Sequence, residues 1–139
     1  MYYLKLSHAG SGRYFIASNN DVRLEMIAEL LIDNDIRTQI KEALESFTGI
    51  PVGDVLSLKT LNGKHFEVQQ ATDNILYIRL LNHNSQTMET LETDLANETF
   101  IDLADEWEDL LIDEPQEIQL IREQDYFYFK SYENSMNFK

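Results

Sequence analysis

From Leu80 to Ile121 the chain runs 42 residues without a lysine or arginine while carrying twelve carboxylates: Glu89, Glu92, Asp94, Glu98, Asp102, Asp105, Glu106, Glu108, Asp109, Asp113, Glu114 and Glu117. Such a stretch folds only if each carboxylate stays in water, because a buried charge without a partner is too costly to keep ionised. Its apolar residues must therefore collect on one side. They do so in two phases: Met88, Leu91 and Leu95 share one helical phase, and Phe100, Leu103, Trp107, Leu110 and Leu111 share another. We read an acidic helical segment over 86–114, kinked or broken near Asn97, which serves as an N-cap for a helix from about Glu98 to Ile112.

On that helix Glu98, Asp102, Asp105 and Asp109 recur at spacings of four, three and four, opposite the apolar face, with Glu106 and Glu108 on the flanks. Asp113 and Glu114 extend the same acidic run. The six carboxylates from Glu98 to Asp109 spread over ~16 Å of helix, roughly one charge per 3 Å. Duplex DNA carries one per ~1.7 Å. The bland reading is a solvated outer face, which most amphipathic helices have. Ordinary surface helices, however, mix signs, because like charges at these spacings repel by a few tenths of a kcal/mol per pair. This run has no counter-charge of its own, which favours a binding role.

The imbalance is local. The chain has 25 acids and 11 bases, formally −14, and the stretch between Arg79 and Arg122 supplies −12 of it. A field so polarised repels nucleic acid and membrane phosphates and attracts basic surfaces. At 139 residues and 43% apolar the chain is read as a single domain, 1–139, with no linker, repeat or low-complexity run. Without cysteine, signal-like segment or membrane-length apolar run, it is expected to be soluble and cytoplasmic, with no membrane partner.

The remaining segments predict an α+β fold in the order ββααβββαββ, with a mixed, mostly antiparallel sheet, two helices in the N-terminal half and one acidic helix. Residues 2–7 and 13–18 form two strands around the loop His8–Gly12. Its Gly10-Ser11-Gly12 step is a hairpin turn and not a phosphate cradle, since a strand and not a helix follows. Asn19, Asn20 and Asp21 cap a helix to about Asp33 that buries Ile27, Leu30 and Leu31. Asp35 caps a second helix carrying Ile36, Ile40, Ala43, Leu44 and Phe47, closed by Gly49 and stopped by Pro51. From Val55 the apolar period becomes two. Asn62-Gly63 marks a hairpin whose preferred register sets Leu58 opposite Val68 and Lys59 opposite Glu67, keeping one face apolar and pairing charges. Strands over 75–81, 118–122 and 126–132 complete the order. In the last, Tyr126, Tyr128 and Lys130 share one face, with Phe127, Phe129 and Ser131 on the other.

Catalytic and metal chemistries find little support. A calcium loop needs a glycine within its alternating acids, and the acidic segment has none. Zinc lacks ligands, with no cysteine and with His8, His65 and His83 off helical spacing. No nucleophile elbow, zinc-protease helix or nucleotide loop is present. We therefore expect a non-enzymatic protein without cofactor or metal. It would block a basic, nucleic-acid-binding surface of a partner, a nucleic-acid-binding enzyme or nuclease, as an anti-restriction or anti-CRISPR-type mimic or a toxin immunity protein would. It would not bind nucleic acid directly. The candidate partner-binding residues are Glu98, Asp102, Asp105, Glu106, Glu108, Asp109, Asp113 and Glu114. Tyr126 and Tyr128 are secondary candidates, as tyrosine is enriched at interface hot spots. An assembly or adaptor protein, acidic for solubility, is the alternative, and a small enzyme without a recognisable motif the third.

Overall fold

A computed structural model describes residues 1–45, 54–61, 63–72, 74–84, 89–124 and 126–132. The chain is α+β, as the sequence predicts. Its elements are β1 (Tyr2–His8), β2 (Tyr14–Asn19), α1 (Val22–Ile32), α2 (Asn34–Glu45), β3 (Val55–Lys59), β4 (His65–Thr72), β5 (Ile75–Asn84), β6 (Glu89–Ala96), α3 (Asn97–Asp113), β7 (Glu117–Glu123) and β8 (Tyr126–Tyr132). The strands form two antiparallel four-stranded sheets, in the orders β2-β1-β7-β8 and β3-β4-β5-β6. Two compact units result, one built from Met1–Ile32 and Leu103–Lys139 and the other from Asp33–Asp102.

In the first unit, alternation along each strand sends Leu4, Leu6, Tyr14, Ile118, Leu120 and Phe127 to one buried face of the sheet. The helices cover that face. Trp107 of α3 meets Tyr14 edge-on at 5.4 Å between ring centroids and Phe129 at 6.0 Å, and Arg23 of α1 lies over Phe127. Helix α1 buries Ile27, Leu30 and Leu31, the residues its spacing singled out. Its start is fixed by Asp21, whose carboxylate accepts from Arg23 N–H and is gripped by the Arg122 guanidinium at 3.2 Å. The β1–β2 loop turns on three consecutive residues of positive φ: Gly10, Ser11 and Gly12.

In the second unit Leu58, Phe66, Val68, Leu76, Ile78, Leu80 and Leu95 line the buried face of the sheet. Three details differ from the sequence reading. Helix α2 starts at Asn34, two residues earlier than a cap at Asp35 allows, and Asp33 caps it instead: its Oδ1 accepts from Ile36 N–H at 3.1 Å and its Oδ2 from Leu61 N–H at 3.0 Å. The β3–β4 register is Leu58 opposite Phe66 and Lys59 opposite His65, not Val68 and Glu67. The tight turn closes Gly63 N–H on Thr60 C=O, with Gly63 at φ 88°, so pairing begins two residues nearer the turn. A shift of two keeps the same face apolar. Glu67 instead meets Arg79 of the neighbouring strand at 3.0 Å.

The third difference is larger. Residues 89–96 are a strand, not the front half of an acidic helical segment 86–114. Leu91 and Leu95, four apart, fit a helical face. With Thr93 between them they equally fit the inward face of a strand, opposite Leu80, Ile78 and Leu76 of β5. The β-branched Thr90 and Thr93 tip the choice to the sheet. The break itself falls at Asn97, as expected, but the Asn97 amide is not used as a cap: it pairs with the Gln70 amide in both directions, at 2.9 and 3.2 Å. Phe47, Gly49, Pro51, Asn62 and Met88 lie outside the described residues.

Candidate functional site

Helix α3 runs from Asn97 to Asp113, with 3.6 residues per turn. Phe100, Leu103, Ala104 and Trp107 are buried along one side, Trp107 to 1% exposure. Glu98, Asp102, Asp105, Glu106 and Asp109 are exposed along the other, as is Asp113 one turn further on. Glu108 is half-buried on the flank. Among the described residues, Glu98, Asp102, Asp109 and Asp113 make no ion pair. The four-three-four spacing thus produces the exposed carboxylate line that the sequence predicts, and Asp113 continues it.

Glu114 does not belong to that line. It follows the helix at φ 43°, and the left-handed step turns its side chain toward the β1–β2 loop. There it accepts from Gly12 N–H at 2.6 Å and meets His8 Nε2 at 3.1 Å. The His8 bond first, and the Gly12 bond second, hold its carboxyl below the usual carboxylate range. Two further bonds reinforce the junction: Tyr14 O–H donates to Pro115 C=O at 2.6 Å, and His8 N–H to Gln116 C=O at 3.0 Å. The Glu114 carboxylate thus ties the end of α3 to the β1–β2 loop.

Ile112 is a member of the face that the apolar pattern did not single out. It is 79% exposed and, three residues after Asp109, shares the acidic phase and not that of Leu103 and Trp107. The signal was available in the sequence, since Ile112, like the half-buried Ile101, is a large apolar side chain out of phase with Phe100, Leu103 and Trp107.

Tyr126 and Tyr128 lie on the face of β8 opposite Phe127 and Phe129, as read, with their rings 5.6 Å apart. Tyr128 O–H donates to Glu123 at 3.1 Å, and partial burial followed by that bond raises its pKa. The open face of the second sheet carries further polar groups. Arg79 bridges Glu67 and Glu92 at 3.0 and 3.8 Å, and the bond to Glu92 raises the pKa of Tyr77. Ser57 Oγ lies 2.7 Å from His65 Nε2, a hydroxyl–imidazole pair created by the register, which sequence spacing alone does not reveal. The other ring nitrogen of His65 has no hydrogen bond among the described residues, whereas an activated serine needs its base oriented by a third group. No group of three or more potential metal ligands occurs among the described residues. No helix among them is long and apolar enough to cross a membrane. Comparison with protein-family models, with curated proteins and with solved structures finds no match to this chain.

Proposed function

We propose that the protein is a non-enzymatic acidic inhibitor that docks the outer face of α3 against a basic, nucleic-acid-binding surface of another protein, in the place a phosphate backbone would take. The observation that carries this reading is the alignment of Glu98, Asp102, Asp105, Asp109 and Asp113 along the exposed side of one continuous helix, with Glu106 and Glu108 beside them. A row of carboxylates on one helix offers a basic groove charges at about half the density of duplex phosphates, with no cost of ordering a flexible segment. Long-range attraction accelerates encounter. Ile112, exposed among the acids, supplies apolar contact, which slows dissociation in a way that charge alone does not. An enzyme that binds or cuts nucleic acid, such as a nuclease toxin, a restriction enzyme or a CRISPR effector, presents the matching surface.

The test is capture from lysate with the whole chain as bait, at low and at high salt, beside a variant with Glu98, Asp102, Asp105 and Asp109 all changed to lysine. The proposal expects a nucleic-acid enzyme that is retained at low salt, released at high salt, inhibited by the protein and lost with the variant. Equal retention by the four-lysine variant, with an unchanged salt response, would show the row to be only a solvated face. A gel shift with unspecific duplex DNA at physiological salt would likewise overturn the reading, because a −14 chain that binds phosphate is not competing for the phosphate's site.

A further inference from the structure

The first sheet has a second face, and it is unlike the rest of the molecule. Cross-strand register places Tyr3, Ile121 and Tyr128 in one row, with Ile121 buried and Tyr128 half-buried. Lys5, Gln119 and Lys130 form the next row, and Ser7, Glu117 and Tyr132 the one after. Phe15 stands beside Ser7 and Tyr126 beside Glu123. Tyr3, Phe15, Tyr126 and Tyr132 are exposed, Tyr126 to 67%. Trp107 and Arg23 reach the opposite face of this sheet, through Tyr14, Phe129 and Phe127, so helices α1 and α3 lie behind it.

The charges decide what can cover such a face. Its strand residues carry Lys5 and Lys130 against Glu117 and Glu123, which sum to zero in a chain of −14. Asp105 and Asp109 point away on the far side of α3, a helix about 10 Å across, beyond the ~8 Å screening length of physiological salt. A basic partner is drawn to α3 and has no electrostatic reason to choose the tyrosine face. Nucleic acid finds no net positive charge there. Lys5 and Glu117 already pair within the chain at 3.9 Å, so a second copy meets a neutral surface on which Lys130 and Glu123 are left to pair across the contact, with tyrosines to fill it.

We propose that this face, centred on Tyr3, Tyr126 and Tyr128, is a self-association surface on which a second copy of the chain docks sheet to sheet. The site is separate from the acidic row and does not depend on what that row binds. Four strands ~4.8 Å apart and about seven residues long give a face of roughly 20 by 23 Å, or about 450 Å² per copy. That is below the ~800 Å² per partner of a standard stable interface, so the dimer is weak and forms only at high protein concentration. Because each copy carries −14, salt screens their mutual repulsion and strengthens the dimer. Attraction of a basic partner to α3 responds to salt in the opposite sense.

Sedimentation equilibrium of the whole chain tests this, in a concentration series from roughly 5 to 500 µM at low and at ~0.5 M sodium chloride. The expected result is a weight-average mass that climbs from one chain toward two, at lower concentration in high salt. Changing Tyr3 and Tyr126 together to glutamate should weaken association at least tenfold. Tyr126→Ser, a smaller change at an exposed position, should weaken it in the same direction. Far-ultraviolet circular dichroism and the emission of buried Trp107 report whether each variant keeps its fold. A wild-type chain that stays monomeric across the series in high salt overturns the proposal. So does a folded Tyr3/Tyr126 glutamate variant that associates like the wild type. Neither outcome touches the proposed role of α3, whose binding is read separately and falls with salt.

Discussion

Glu114 shows how one side chain converts a charge excess into a structural tie. Its carboxylate is held below its ordinary value of 4.5, first by His8 and then by Gly12 N–H. A lowered acid contributes stability that is fully present above the unfolded value and is lost as pH falls through the folded one. Glu114→Gln should therefore lower the melting midpoint near neutral pH, with the gap to wild type closing as pH drops below about 4.5. Other carboxylates titrate alike in both proteins, so the difference isolates Glu114. A gap that stays constant from pH 7 to pH 3 would mean that its ionisation is not what ties the loop. Trp107 makes the complementary case in the core. Its Nε1–H is buried without an acceptor among the described residues, and burying an unsatisfied donor costs about 1–3 kcal/mol. Trp107→Phe removes that group while keeping an aromatic ring against Tyr14 and Phe129. Trp107→Ala empties the site, at about 3–5 kcal/mol. In urea titrations the phenylalanine variant should lose clearly less than the alanine variant. Equal losses would show that the indole N–H is satisfied in solution.

At the scale of elements, caps separate what a sequence offers from what a fold uses. Asp33 and Asp35 are both acceptable N-cap residues in front of Ile36. Only Asp33 accepts from the first turn, and its second oxygen holds Leu61 N–H as well. Asp33→Ala should cost about 1–2 kcal/mol of unfolding free energy, and Asp35→Ala less than about 0.5; a reversed order in urea melts would reassign the cap. The same distinction explains which elements were legible. Helix α3 and its carboxylate row could be read because Phe100, Leu103 and Trp107 repeat at 3.6 and fix the opposite face without outside help. Strand β6 could not, because Leu91 and Leu95 satisfy both periods and only pairing with Leu80 and Leu76 of β5 decides between them. Nor could the turning away of Glu114, which depends on a backbone angle and on a loop about a hundred residues earlier in the chain. Ser57 and His65 meet only because the β3–β4 hairpin pairs two residues closer to its turn than the favoured register allowed.

For the whole molecule, the uneven distribution of charge sets how stability responds to salt. Along α3 seven carboxylate pairs stand three or four residues apart: Glu98 with Asp102, Asp102 with Asp105 and Glu106, Asp105 with Glu108 and Asp109, Glu106 with Asp109, and Asp109 with Asp113. At a few tenths of a kcal/mol each they destabilise the folded chain by roughly 1–3 kcal/mol at low ionic strength. Screening at ~0.5 M salt removes much of this. For a chain of this size that should raise the melting midpoint by about 3–8 °C. Sodium chloride is the appropriate salt, since sulfate stabilises proteins generally by exclusion from their surface. The four-lysine variant supplies the internal control. With lysine at positions 98, 102, 105 and 109, three of the seven pairs remain repulsive and four become attractive. Salt then weakens as much helix stability as it restores. One added cost, lysine near the helix start in place of Glu98, is about 0.3–1 kcal/mol through the helix dipole and shifts the midpoint without reversing its salt response. Wild type should therefore melt higher in salt while the variant stays nearly flat. If both rise equally, the repulsion along α3 is already relieved in the folded chain by groups outside the helix, and its carboxylates are not held ready for a partner.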